Sequence, residues 1–280
     1  MSALPPNDTN RLLVSFTAIA ALALGTGAWI GTQAVSDAAP VSVATEAGAV
    51  DAVATDAVAT DAPDAAFGEK VRAYLMENPQ VLVEAINVLE TRAQAAEAEN
   101  GRVLVQTNAE AIFDDGVSWV GGNPEGDITV VEFLDYRCTY CRKAMEEVDQ
   151  LIAADGNIRF VIKEFPILGQ DSELSARFAV AVQQIAGQEA YKTVHDALMS
   201  LRGTVTLESL GKMADEIGAD KDAIFNRMNE EEVTAVLRAN RQLAERLQIS
   251  GTPAFVIGGD MIKGYVPLAT LQEVVAAERG

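Results

Sequence analysis

The sequence predicts an α/β domain that carries a large helical insert and is preceded by a helical arm. Three observations predict it. A strand–helix–strand stretch over 128–165 has the spacing of a parallel pair joined by a right-handed crossover. Residues 171–248 then read as helix throughout, and sheet signals return only at 254–264. Ahead of all this, 67–112 carries helical periodicity with no strand signal.

The elements follow in order. Residues 12–30 are almost wholly apolar or small, behind a weakly positive flank with Arg11 and Asp8, and Ala34-Val35-Ser36 offers a small-x-small cleavage step. Segment 1–36 therefore reads as a secretory signal peptide, or alternatively as an anchor in the inner membrane through 12–30. Either way the remainder is exported, to a periplasm-like compartment. Residues 37–66 are built from Ala, Val, Thr, Asp and Pro, with six acids and no base, and Asp-Ala-Val-Ala-Thr occurs twice in succession. Such a stretch cannot bury enough apolar surface to offset its ordering entropy, so a disordered acidic linker is expected.

The arm spans 67–112. A short amphipathic helix over 67–76 is followed by Asn78-Pro79, the pairing of a good N-cap with the residue favoured at the first helical position. A long helix should run from there to about 112. Leu82, Ile86, Leu89, Ala93, Ala96, Asn100 and Val103 alternate by four and three, a heptad seam with one polar residue on it. Gly101 weakens the helix and marks a candidate bend. The arm either joins copies of the chain or folds back on the domain that follows; the first is preferred, because one modest apolar face has little to pack against within a single chain.

The main domain spans 113–280. Strands are expected at 117–120, 128–134, 158–165, 254–257 and 261–264, with Gly121 to Asp127 as turn material. Helices are expected from the middle of the 138–141 motif to about 154, then near 171–186, 188–201, 206–217, 220–228 and 230–248, and finally over 267–277. A helical block inserted into a βαβ…ββα frame is the outline of a thioredoxin fold with an inserted helical subdomain.

The chemistry concentrates in Cys138-Thr139-Tyr140-Cys141. Only two cysteines occur in 280 residues, and both are here. Cys138 falls where a strand hands over to a helix, so free N–H groups and the helix dipole favour its thiolate. A cysteine so placed can have its pKa lowered from about 8.5 to about 3.5–7.5. Cys141, one turn on, is close enough to form a disulfide with it. The pair reads as a redox-active dithiol; soft ligands for copper(I) and an inert structural bridge are the alternatives. A Cys/His zinc site is not completed, because the one histidine, His195, is remote in sequence and patterned as a core residue. The net charge of −20 argues against nucleic acid as a partner. In Ile249-Ser250-Gly251-Thr252-Pro253-Ala254-Phe255, Pro253 stands directly before a strand, where a cis Thr-Pro bond is preferred and a trans proline that starts the strand is the alternative. A carboxylate at Glu132, on an apolar strand six residues before Cys138, should have a raised pKa and could accept the Cys141 proton.

Phe133-x-Asp135-Tyr136-x-Cys138-x-x-Cys141, the helical insert and Gly251-Thr252-Pro253-Ala254-Phe255 together resemble the DsbA family of thiol–disulfide oxidoreductases, over about 113–280. Tyr74-Leu75-x-x-Asn78-Pro79 and the helix after it resemble the N-terminal domain of the ScsC (suppressor of copper sensitivity) group, which trimerises in some members. The resemblance implies Cys138 as nucleophile, Cys141 as resolving thiol and Pro253 as a cis-proline. Thr252 would face the cysteines, with Thr139, Tyr140 and Thr252 contacting substrate. Glu132 matches a buried acid beneath the site, with Lys163 as its suggested partner; a purely structural Glu132–Lys163 ion pair is the competing role. No cofactor and no metal are expected. Family members best known for oxidase work carry Pro-His between the cysteines. Thr139-Tyr140 supplies no charge there, so a less oxidising couple is expected, with Arg137 restoring part of the positive field.

These readings combine into a periplasmic oxidoreductase that isomerises or reduces the disulfides of exported proteins. It would be an oligomer, a trimer by preference, joined through 67–112, and would work with a membrane thiol–disulfide reductase or oxidase. The competing readings are a dithiol oxidase that introduces disulfides and a copper(I)-binding tolerance protein.

Overall fold

The strand segments assemble into one mixed sheet, and its strand order decides which side chains meet. The structure, a computed structural model, describes residues 65–280. In chain order it contains α1 (Ala65–Glu77), α2 (Gln80–Thr107), α3 (Ala109–Phe113), β1 (Trp119–Gly122), β2 (Ile128–Leu134), α4 (Thr139–Asp155) and β3 (Ile158–Glu164). The insert follows as α5 (Gln170–Ala186), α6 (Gln188–Ser200), α7 (Leu207–Glu216), α8 (Lys221–Arg227) and α9 (Glu231–Arg246). The chain closes with β4 (Ala254–Ile257), β5 (Asp260–Lys263) and α10 (Leu268–Arg279). The expected signal or anchor over 1–36 and the linker up to residue 64 lie outside the described residues. Ala65 and Ala66, expected in the linker, already belong to α1. No described helix is long and apolar enough to cross a membrane.

The sheet order is β1-β3-β2-β4-β5. β2 and β3 run parallel, in register from Ile128↔Ile158 to Leu134↔Glu164, as a strand–helix–strand unit requires. β4 lies antiparallel to β2, β5 antiparallel to β4, and β1 antiparallel to β3. All of β2 but Thr129 is buried, which explains its continuous apolar run. Alternation sends Val130, Leu134, Phe160 and Ile162 to one face, where they pack with α4, α10 and the insert. Val131, Phe133 and Val161 point to the other face, where Val105, Ile112, Leu243 and Ala244 cover them. Each fully buried aliphatic side chain contributes about 1.5–3 kcal/mol by leaving water.

Two of the insert helices start at side-chain caps. Thr206 and Ser209 form a capping box at α7, and Asp220 Oδ1 accepts from the N–H groups of Asp222 and Ala223 at α8. Four details depart from expectation. β1 begins at Trp119, because Asp115 Oδ1 takes the N–H groups of Val117 and Ser118 and holds those residues out of the ladder. Gly121 and Gly122, expected in a turn, are strand residues instead; a side chain at Gly121 would run into the Trp119 ring. Asn78 does not cap the long helix: its Nδ2 donates to Tyr74 O and closes α1. The long helix stops at Thr107, because the backbone N–H and Nδ2 of Asn108 both return to Leu104 O and start a separate turn, α3.

The arm divides into two parts by burial. Gly101 and Val105 are the buried residues of α2. α2 continues unbroken through Gly101, and the absent side chain lets the helix approach Met261 on β5. Arg102 holds Asp260 at 2.9 Å beside that contact. The heptad seam, by contrast, is uncovered: Leu82, Ile86, Leu89 and Val103 are all exposed, Leu89 by 63%.

Candidate active site

Cys138 is the N-cap of α4, in an extended conformation that ends the β2 segment and opens the helix. Its N–H donates to Asp135 O at 3.0 Å, and its carbonyl accepts from Arg142 N at 3.2 Å. Cys138 and Cys141 are both free thiols and both buried, Cys141 completely. The two differ sharply in acidity. The Cys141 thiol donates to the Cys138 sulfur, and this hydrogen bond lowers Cys138 more than its partial burial raises it. The Thr252 side chain and the free N–H groups of Cys141 and Tyr140 lower it further, to about 5. Burial, the same hydrogen bond and the Glu132 charge push Cys141 far above the usual thiol range. The pair is thus one thiolate and one held proton.

The Thr252–Pro253 peptide bond is cis, which decides between the two forms the sequence left open. The loop lies against the dithiol: in its protonated form the Cys138 thiol donates to Thr252 O at 3.2 Å. Thr139 and Tyr140 sit at the exposed rim. Tyr140 is 60% exposed and stacks on Tyr265 at 5.9 Å, with Lys143 Nζ over the Tyr265 ring. Asp135, buried under the motif, ties the neighbouring loop to it; its carboxylate accepts from the N–H groups of Arg137, Ile167 and Leu168.

Glu132 and Lys163 do not pair. In the β2–β3 register Glu132 stands opposite Ile162, and Phe133 opposite Lys163. Adjacent strand positions face opposite sides, so the sheet itself separates the two charges. Lys163 Nζ donates instead to Asp115 Oδ2 at 2.7 Å and Ala111 O at 2.8 Å. Glu132 is left with one buried oxygen that has no hydrogen-bond partner. Burial first, then the charges of Asp149 and Cys138, raise it to about 8.

A second buried carboxyl escaped the sequence reading. Glu164 lies at the end of β3, on the same face as Glu132. Its Oε1 accepts from Tyr136 Oη at 2.7 Å and from Tyr191 Oη at 2.6 Å. Its Oε2 has no partner. Burial raises it to about 8 against the lowering effect of both tyrosines. The criterion that singled out Glu132, a carboxylate in an apolar strand, applies equally to Glu164. His195 is the buried core residue its pattern suggests: Nδ1 lies 3.2 Å from Tyr136 Oη, and burial lowers it to about 3. Arg142 was also overlooked as a site residue; its Nε donates to Tyr136 O at 3.0 Å, one turn beyond Cys138. Among the described residues no three His, Cys, Asp or Glu side chains converge as a metal site.

Comparison with known proteins places this architecture. The profile described as DSBA-like thioredoxin domain matches residues 129–276. The profile described as copper resistance protein ScsC N-terminal domain matches residues 64–96. A solved thioredoxin-like oxidoreductase from Silicibacter pomeroyi is 42% identical, with a TM-score of 0.58 over 61% of this chain and 98% of that one. The thiol:disulfide interchange protein DsbA of Bordetella parapertussis is 30% identical over 139 residues, which is 48% of this chain and 65% of that protein. The Na(+)/H(+) antiporter NhaA 1 of Salinispora arenicola is 28% identical over 159 residues, 56% of this chain. The chain spans only 24% of that antiporter's length.

Proposed function

The chain belongs to the DSBA-like thioredoxin family, and on that premise we propose that it is a thiol–disulfide oxidoreductase of exported proteins, working mainly as isomerase or reductase. One arrangement carries the reading: Cys138 opens α4 with its pKa lowered to about 5, first by the hydrogen bond from Cys141, which lies fully buried one turn away. The thiolate attacks one sulfur of a substrate disulfide. A mixed disulfide with Cys138 forms, and the other substrate sulfur leaves as a thiolate. If a second substrate thiolate then displaces Cys138, the disulfide has moved and no electrons are transferred in sum. If Cys141 displaces the substrate, the enzyme becomes the disulfide and the substrate takes both electrons. Cys141 must lose its proton for this. Glu132, with a free oxygen and a pKa of about 8, is the acceptor within its electrostatic reach in its ionised form, whose share grows as pH rises toward 8. Thr252 faces the attacking sulfur, and Thr139 and Tyr140 line the approach.

The same low thiolate pKa favours a second reading, a dithiol oxidase, since stabilising the reduced form makes a couple more oxidising. Refolding of scrambled ribonuclease, set against oxidation of reduced ribonuclease, separates the two directions. Copper(I) titration of the reduced protein tests the copper-tolerance alternative, which the N-terminal match suggests. The uncovered seam of α2 supports assembly through the arm, with a trimer preferred; light scattering with and without 67–110 tests it. The apolar segment at 12–30 supports periplasmic residence, and net reduction or oxidation of substrates calls for a redox partner, which we place in the membrane. The decisive measurement is thiolate absorbance near 240 nm through an acid titration. A midpoint near pH 5, lost in Cys138→Ser together with turnover, is expected. A sulfur that ionises only in alkali would end the proposal.

A further inference from the structure

We propose that Arg137, Arg142 and Arg202 form a basic rim beside Cys138 that selects disulfides flanked by acidic side chains; this rests on Cys138 being the exchange nucleophile. The chain has 41 acids and 21 bases, so most arginines meet a carboxylate. Arg177 holds Glu173 at 2.8 Å, Arg227 holds Glu230 at 3.1 Å, and Arg279 holds Asp127 at 2.7 Å. The three rim arginines are more weakly paired than these. Among the described residues Arg142 and Arg202 have no carboxylate within ion-pair distance, and Arg137 reaches only Asp171, at 3.9 Å.

Their convergence is built into the fold. Arg137 immediately precedes Cys138. Arg142 lies one turn after it and is pinned by its Nε bond to Tyr136 O. Asp171 Oδ2 accepts from Val205 N at 3.1 Å and faces Arg137, which draws the loop carrying Arg202 to the same edge. Arg137 Nη1 and Arg142 Nη2 are both buried without a hydrogen-bond partner. After its burial, the charges of Arg137 and Arg202 are what most lower the Arg142 pKa, while the charges of Asp135 and then Cys138 oppose them. Three cations therefore share one edge with the thiolate, and the two carboxylates that oppose them, Asp135 and Asp171, are already engaged by backbone N–H groups. Holding like charges together costs free energy. An acidic side chain arriving with the substrate relieves that cost, and a lysine arriving there adds to it.

The test uses the full chain, reduced, with three small disulfides: dithiodipropionate (anionic), hydroxyethyl disulfide (neutral) and cystamine (cationic). Stopped-flow loss of thiolate absorbance gives each second-order rate constant, and the neutral disulfide is the reference within each variant. In Arg202→Gln, on an exposed loop, and separately in Arg142→Gln, the anionic-to-neutral rate ratio should fall about three- to tenfold and the cationic-to-neutral ratio should rise. Arg202→Lys should keep the parent ratios, and high salt should flatten them. Ratios unmoved in both glutamine variants would overturn the rim, even if the Cys138 midpoint rises; in that case the arginines serve only the thiolate. A parent protein that reacts with none of the three disulfides would overturn the exchange reading itself.

Discussion

Buried charge is handled in opposite ways on the two faces of one sheet. On the face covered by α3 and α9, Lys163 is fully buried, yet its ammonium meets a carboxylate and a carbonyl at hydrogen-bond distance. Burial would raise Asp115, but Lys163 and two backbone N–H groups outweigh it and leave it below the usual carboxylate range. On the face beneath α4, Glu132 and Glu164 are buried with no cation beside them, and each keeps one oxygen without a partner. The first arrangement is a structural ion pair. The second keeps two protons that ordinary carboxyls would have lost, under a dithiol whose chemistry moves protons. The difference teaches that burial alone does not mark a functional charge; a missing partner does.

The largest effect of one substitution on stability is expected on the Lys163 face. Lys163→Met should lower stability by on the order of 3–4 kcal/mol, because it strands Asp115 and Ala111 O. The Cys138 absorbance midpoint should stay where it is. A shift of that midpoint in urea-stable protein would mean that the two faces are not independent.

The carboxyl side is next. A carboxyl whose folded pKa is raised gives the native state a proton that the unfolded chain loses above about 4.3. Its stabilisation is therefore full below that pH and is lost as pH rises through the folded value of about 8. Between pH 5 and pH 8 each of Glu132 and Glu164 should cost the parent about 3–4 kcal/mol of stability. Urea unfolding of Glu132→Gln and of Glu164→Gln should each lack about half of this fall. The two should part in kinetics. Glu132→Gln should slow release of the mixed disulfide by Cys141 about tenfold and remove its rise through pH 8, if Glu132 takes that proton. Glu164→Gln should leave that profile unchanged. Equal effects would merge the two carboxyls into one proton store.

The smallest effect sharpens the Glu164 side alone. Tyr191→Phe removes one of the two hydrogen bonds that hold Glu164 below its fully desolvated value. It should cost about 1 kcal/mol and move the stability fall to higher pH. A fall that moves to lower pH would mean that Tyr191 does not act on Glu164 as a donor.

Much of this was legible in sequence because it depends on neighbours along the chain. The Cys138 position follows from an apolar strand run meeting a helical pattern. The starts of α7 and α8 follow from Thr206 and Asp220, whose side chains bond N–H groups two or three residues on. Errors arose where a local signal had two possible uses. Asn78 has one amide, and it closed the helix behind it instead of opening the one ahead. Asp115 took two N–H groups that would otherwise have begun β1. The Glu132–Lys163 pairing failed for a different reason: whether two strand residues meet depends on register parity, and no local pattern carries that parity across a crossover helix.

By itself, then, the sequence determined the dithiol, its place at a helix start, the βαβ frame and the helical insert, since periodicity, caps and spacing act over a few residues. Tertiary structure alone decided which charges meet. It put Lys163 behind the sheet and Glu164 beneath Tyr136, and it brought Thr252 against Cys138 from 114 positions away. Charge interactions and burial depend on distance in space, and in a folded chain only the packing of its elements sets that distance.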